Sequence, residues 1–382
     1  MSYLEYHVKR SPTGLAKVLY VNWALVLLLC AVASIGFLQL YSVSGGNFER
    51  WTEPQMQRFG LSLAVMFVVG FVPLWFWRSM AGLAYAVSVL LLLGVEFFGS
   101  VGMGAQRWLV IGPLRLQPSE MTKITIIMAM AAYYDWLDVS KVSHPLWVGL
   151  AALMILVPAF LVLKQPDLGT SLLIVGGGAI VMFAAGVSLW YWGAMIVGAG
   201  GLIAAVFASR GTGWQLLRDY QYRRIDAFLD PSLDPLGGSY HINQAMIALG
   251  SGGWSGRGFM QGTQSRLNFL PEKHTDFIFN TLAEELGFVG GVFLLALYMA
   301  VIVTCIIAAI QSKHRFAALL ILGIAGNFFL YFGVNMAMVM GLAPVVGVPL
   351  PLVSWGGSSM LMIMIGFGLV QSACIHRPRE RA

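Results

Sequence analysis

Apolar blocks of about 18 residues or more, with few charges, recur along this chain, and a block of that length reads as a membrane-crossing helix. Ten can be counted, near 20–43, 57–76, 79–98, 118–136, 146–163, 168–187, 190–208, 279–311, 316–339 and 357–375. Composition points the same way. Of 382 residues, 58% are hydrophobic and only 10% charged, against about 25% charged in soluble proteins. The expected fold is therefore an all-α polytopic membrane protein of about ten transmembrane helices, a single integral membrane domain over 1–382.

An even number of crossings puts both ends on one side, and the short connections decide which. The first tail (1–19), Arg78, Lys141, Lys313, Arg315 and the last tail (376–382) carry about ten basic residues, against about five on the other face, so both termini are expected in the cytoplasm. The net charge of +6 is thus a matter of membrane orientation and implies no nucleic acid. Residues 210–278, between helices 7 and 8, are too long for that count and are expected as one long extracytoplasmic loop. Lys9, Arg10 and Lys17 precede the first block as in a signal peptide, but the block is too long and ends in no cleavage site, so it reads as the first helix. Cys30, Cys305 and Cys374 lie in or beside apolar blocks and read as small buried hydrophobes. No sustained internal repeat is visible, which weighs against a two-fold transporter.

The long loop closes on the stretch Arg257–Gly287 and turns straight into an apolar helix. At that turn stands Asp276, beside Lys273, His274 and Thr275 and ahead of Phe277, Ile278 and Phe279. One reading makes it the N-cap of the helix. The other makes it a catalytic base at the mouth of a membrane helix, wet enough to meet substrate and dry enough to be tuned. Lys273 and His274 favour the second, because a cap needs neither. Within the same loop, His241–Leu249 is expected as a short amphipathic helix in the interface.

Three further constellations stand out. Gly104–Lys123 reads as an outer loop entering the fourth helix at Pro118-Ser119-Glu120, with Lys123 one turn after Glu120. The pair either seals the helix end or, with Arg107, turns Lys123 toward an anionic ligand. Trp108 reads as an interfacial anchor or a platform for a sugar ring. Asp167, in Lys164–Thr170, is expected to cap the sixth helix. Gly341–Ser359 is uncharged and contains Pro344, Pro349 and Pro351, so it is expected to dip into the membrane as something other than a plain helix. The glycines of Gly250–Gly258 lack the strand and lysine spacing of a nucleotide loop, and His241 and His274 show no metal-ligand spacing.

The stretch Leu270–Phe279 (LPEKHTDFIF) followed by Ala283–Gly287 (AEELG) resembles the signature of the SEDS family of shape, elongation, division and sporulation membrane proteins. RWL at 107–109, QPSE at 117–120, QPDLGT at 165–170, GVPLP at 347–351 and GGSS at 356–359 extend the resemblance in order along nearly the whole chain. GTQSRLNFLPEKHTDF is closer to the RodA-like elongation branch than to the division branch. The resemblance implies a peptidoglycan glycosyltransferase that polymerises lipid II at the outer face of the bacterial inner membrane. It implies a class B penicillin-binding protein as transpeptidase partner, along with other elongation-complex membrane proteins and membrane lipids. The family's essential aspartate falls on Asp276, and its sensitive loop residues fall on Arg107, Trp108, Glu120 and Lys123. Trp355 stands where the family usually has tyrosine, so no role for that phenol carries over.

The family's chemistry, from an α donor to a β product, needs one inverting displacement. Pyrophosphate leaves without an acid's proton, so the two-carboxylate plan of inverting glycosidases reduces to a single base. Asp276 is expected to take the acceptor hydroxyl proton. Arg107 and Lys123, then Arg223, Arg224 and Lys273, are expected to meet the pyrophosphate charge. No cofactor is evident, and a divalent ion (Mg or Mn) could share that work. The rival reading is a lipid II flippase, which would gather its polar groups at the midplane rather than the outer face.

Overall fold

The computed structural model describes residues 14–102, 105–111, 114–217, 219, 222, 225–226, 229, 240–267 and 272–377. Each of the ten apolar stretches falls on a helix: α1 (Trp23–Val43), α2 (Glu53–Phe71), α3 (Leu74–Phe98), α4 (Pro118–Trp136), α5 (Pro145–Lys164), α6 (Leu168–Ala184), α7 (Leu189–Ala208), α10 (Ile278–Ile310), α11 (Arg315–Val339) and α12 (Gly357–Ile375). Between α7 and α10 lie α8 (Tyr240–Ser251) and the single turn α9 (Thr263–Arg266). Among the described helices, α1, α3, α5, α7, α10, α11 and α12 are long and apolar enough to cross a membrane. α6 is shorter, and α2 and α4 are interrupted by polar and charged side chains such as Gln55, Arg58, Glu120 and Lys123.

α4 lies at the centre of the bundle, buried almost all round from Pro118 to Ala131, against α3, α6, α11 and α12. Small residues let its neighbours close in. A Cβ on Gly323 of α11 would come within 2.5 Å of Ile127, and one on Gly368 of α12 within 2.8 Å of Met66 O in α2. Among the ten apolar helices, α7 differs from the others in having no buried residue.

The loop between α3 and α4, read from the sequence only as an outer loop, contains a small antiparallel sheet. Strands β1 (Ser100–Gly102), β2 (Ala105–Ile111) and β3 (Leu114–Leu116) pair in that order, with Ser100 opposite Trp108 and Leu109 opposite Leu116. β-Branched and aromatic residues in Arg107–Ile111, bounded by Gly112-Pro113, favour a paired ribbon over open loop.

α10 is broken at Gly287, whose backbone (φ 68°, ψ −165°) is non-helical. The glycines at 252–258 dock on that break: Arg257 N donates to Glu284 O, Gly258 N to Glu285 O, Phe288 N to Gly253 O and Val289 N to Trp254 O, all at 2.9–3.2 Å. These bonds satisfy backbone groups that a kink in hydrocarbon would leave bare. Two buried carboxylates complete the joint. Glu284 Oε1 accepts from Thr263 N (2.7 Å) and Gln264 N (3.1 Å), capping α9. Glu285 accepts from Ser42 Oγ and from Gln39 Nε2 (3.2 Å) of α1. The expected amphipathic helix is α8, and it packs on α10 through buried Ala245 and Ala248.

Candidate active site

Glu272–Phe277 forms a tight turn ahead of α10, closed by Thr275 N and Oγ1 donating to Glu272 O at 3.1 and 3.2 Å. Phe277 occupies the cap position, and no side chain caps the helix. Asp276 therefore does not serve as the N-cap, which removes the structural alternative for its carboxylate. Asp167, by contrast, caps α6 as expected, accepting from Thr170 N at 3.1 Å.

Three successive carbonyls of the turn are held from outside it. Trp355 N donates to His274 O (2.9 Å), Ser354 Oγ to Thr275 O (2.5 Å) and Asn335 Nδ2 to Asp276 O (3.0 Å). On another side, the His274 ring stacks on Trp51 at 4.4 Å between centroids, and Trp51 meets Trp355 edge-on at 4.8 Å. Trp51 comes from a π-helical turn, Phe48–Thr52, just before α2. The Arg58 guanidinium lies 4.1 Å from the Trp355 ring centre, a cation–π contact.

The Asp276 carboxylate is half-buried and accepts no hydrogen bond from a described residue. Burial first, then the charge of Glu272, pushes its carboxyl up to about 6. Burial, with Arg50 adding to it, lowers Lys273. Burial also lowers His274, helped by Arg50 and Lys273 and opposed by Glu272. The turn thus holds a carboxylate poised to exchange a proton near neutral pH.

The other predicted residues fall into two separate groups. Lys123 is 2% exposed and bonds Glu120 Oε1 (2.6 Å) and the Tyr331 hydroxyl, which itself donates to Glu120 Oε2 at 3.1 Å. Arg107 donates to Gln165 O (3.1 Å) and Pro166 O (2.5 Å), with its Nη1 3.7 Å from Asp167. Trp108 is half-exposed on β2. No hydrogen bond or ion pair links Arg107 to Lys123 or either of them to Asp276. Arg223 and Arg224 lie outside the described residues.

The uncharged connection after α11 lies against all three groups. A Cβ on Gly169, beside Asp167, would come within 2.8 Å of Val346 O; Val348 packs on Tyr331; and a Cβ on Gly347 would sit 3.7 Å from Asp276 Oδ2. Sequence reading missed Trp51, Arg58, Tyr331, Asn335 and Ser354. One signal was available for Asn335, since a lone amide deep in an apolar helix asks for a partner.

A family model described as a cell cycle protein, covering FtsW, RodA and SpoVE, matches residues 21–379. The chain is 41% identical over 358 residues to the peptidoglycan glycosyltransferase MrdB of Escherichia coli K12, covering 94% of each chain. It is 30% identical to the peptidoglycan glycosyltransferase RodA of Treponema pallidum, covering 92% of this chain and 96% of that one. Its fold is similar to a chain in a peptidoglycan synthase complex that coordinates polymerization and crosslinking, at a TM-score of 0.79 and 31% identity, over 94% of this chain and 99% of that one. It is also similar to the rod shape determining protein RodA of Thermus thermophilus, at a TM-score of 0.70 and 28% identity, over 94% and 98%. By sequence over nearly its whole length and by fold, the chain belongs to the FtsW/RodA/SpoVE family of cell cycle proteins.

Proposed function

We propose that this protein is a peptidoglycan glycosyltransferase that polymerises lipid II at the outer face of the bacterial inner membrane, with Asp276 as its base. The observation that carries the reading is a half-buried carboxylate at a helix mouth, committed to neither capping nor an ion pair, and raised to about 6. Such a group is ionised at neutral pH and still basic enough to take a hydroxyl proton, a step that contributes about 10²–10⁴-fold.

In this reading Asp276 draws the proton from the acceptor sugar hydroxyl as that oxygen attacks the anomeric carbon of the donor. The bond to the lipid pyrophosphate breaks with inversion. The leaving charge is met by Lys273, with Arg50 and Arg58 nearby, while Lys123 bonds Glu120 and Tyr331. Arg223 and Arg224 are further candidates on sequence grounds. A divalent ion (Mg or Mn) sharing the leaving charge is a further element of the proposal; among the described residues no three His, Cys, Asp or Glu side chains lie together.

All ten apolar helices are read as crossing the membrane, with both termini cytoplasmic and 210–278 outside. A class B penicillin-binding protein is the proposed partner. Support comes from the neighbouring fold in a synthase complex that coordinates polymerization with crosslinking. The flippase reading is tested directly by proteoliposomes given labelled lipid II only on the face that presents Asp276. Glycan polymer made there supports the enzyme. Lipid translocation without polymer would overturn it.

A further inference from the structure

The Asp276 carboxylate has no hydrogen-bond donor among the described residues, so its direction is set by the backbone that carries it. A base works only if held within tenths of an ångström of the proton it takes, and a misplacement of about 1 Å costs about 10²-fold. The means of holding it lie in α11 and in the connection that follows.

We propose that Ser354 and Asn335 are positioning residues for Asp276, clamping the peptide run 274–276 through their hydrogen bonds to Thr275 O and Asp276 O. Each donor is itself fixed. Ser354 Oγ accepts from Leu350 N at 2.8 Å, and its own carbonyl accepts from Gln55 Nε2 of α2 at 2.9 Å. Asn335 Nδ2 is shared between Asp276 O and Val348 O (2.7 Å), so one amide sets the spacing between the turn and the connection. The connection is anchored again where the buried Tyr298 hydroxyl of α10 donates to Pro351 O at 2.5 Å.

Its backbone is also strained. Leu352 sits at φ +65°, a region unfavourable to a non-glycine residue that persists only where the surroundings over-determine it. Gly36 of α1 provides the room, since a Cβ there would come within 2.7 Å of Val353 Cα. A rigid, uncharged frame clamped at three successive carbonyls is what a single unsupported carboxylate needs.

The inference rests on Asp276 being the base, and the test separates the two. Steady-state polymerisation of lipid II is measured across pH for wild type, Ser354→Ala, Ser354→Cys, Ser354→Thr, Asn335→Leu and Asp276→Asn, each scaled to its folded fraction. The titratable and charged groups around Asp276 are Glu272, Lys273 and His274 on its own turn, with Arg50 and Arg58 from the approach to α2 and from α2 itself. The connection 341–356 carries none. With the clamp loosened, the carboxylate becomes wetter and the midpoint of the pH profile should fall from about 6 toward the ordinary carboxylate range.

The expected result is a kcat lower by about 10–100-fold in Ser354→Ala and Asn335→Leu at unchanged KM, with the lower midpoint. Ser354→Thr, which keeps the hydroxyl, should restore both, and Ser354→Cys, of nearly equal size and a weaker donor, should fall between. Wild-type kcat and midpoint in Ser354→Cys and in whichever clamp variants fold would make the clamp merely structural and overturn the proposal. An active Asp276→Asn would overturn the base reading and this inference together.

Discussion

Gly287 of α10 and Gly256 of the loop before it touch backbone to backbone: a Cβ on Gly287 would lie 2.2 Å from Gly256 N, and one on Gly256 2.6 Å from Gly287 N. Both residues have positive φ, 68° and 79°. The break in α10 and the loop that repairs it therefore form one unit, two residues beyond the buried pair Glu284 and Glu285.

From that contact, Gly287→Ala should be severely destabilising, by about 3 kcal/mol or more, because it combines a strained φ with a backbone clash. Gly82→Ala, on an open face of α3 with nothing within 4 Å of the added carbon, should change stability little. Thermal melting of the two purified variants in one detergent checks the contrast, and equal melting points would refute it.

Breaking the buried pair on α4 should cost more than removing it. Lys123→Met leaves the Glu120 carboxylate buried with only Tyr331, a loss of about 3–5 kcal/mol. The double variant Glu120→Gln/Lys123→Met should recover part of that stability. A double variant less stable than Lys123→Met alone would contradict the assignment.

Much of this arrangement was legible in the sequence, for physical reasons. Apolar runs of membrane-spanning length located the ten helices, and short side chains at helix starts announced Pro118 and Asp167. Glu120 and Lys123 were paired by their one-turn spacing. Asp276 stood out as a carboxylate at an apolar boundary, though only the structure separated it from a helix cap. What escaped is long-range. Asn335 and Ser354 bond a turn some 59 and 79 positions away, and no local period encodes such a contact. Trp51 read as an ordinary aromatic until its ring met His274. The kink at Gly287 escaped because the apolar block reads straight through Glu284-Glu285-Leu286-Gly287 as one helix, while its repair comes from glycines in another segment.

Asp276 should make the fold less stable as pH rises. Its folded pKa, about 6, lies above the ordinary value of 3.8, so between those values the native state binds more protons than the unfolded one. Stability falls as pH climbs through that window, and above 6 the full cost is present, about 2–3 kcal/mol. Asp276→Asn removes it. The variant should be more stable than wild type at pH 7.5 and equal to it near pH 4, as read by denaturation at the two pH values. A variant less stable at pH 7.5 would contradict the burial argument.

The same ionisation should appear in turnover. Polymerisation should rise with pH through about 6 as Asp276 becomes the charged base. A profile flat from pH 5 to 7 would remove this carboxylate from the rate-determining chemistry.

The most direct test is polymerisation of labelled lipid II by the purified protein with its proposed penicillin-binding partner, wild type against Asp276→Ala, with the partner's own active site unchanged. The account predicts glycan strands from wild type and none from a folded variant. Equal strands from both would contradict it, leaving Asp276 a bystander at the mouth of α10.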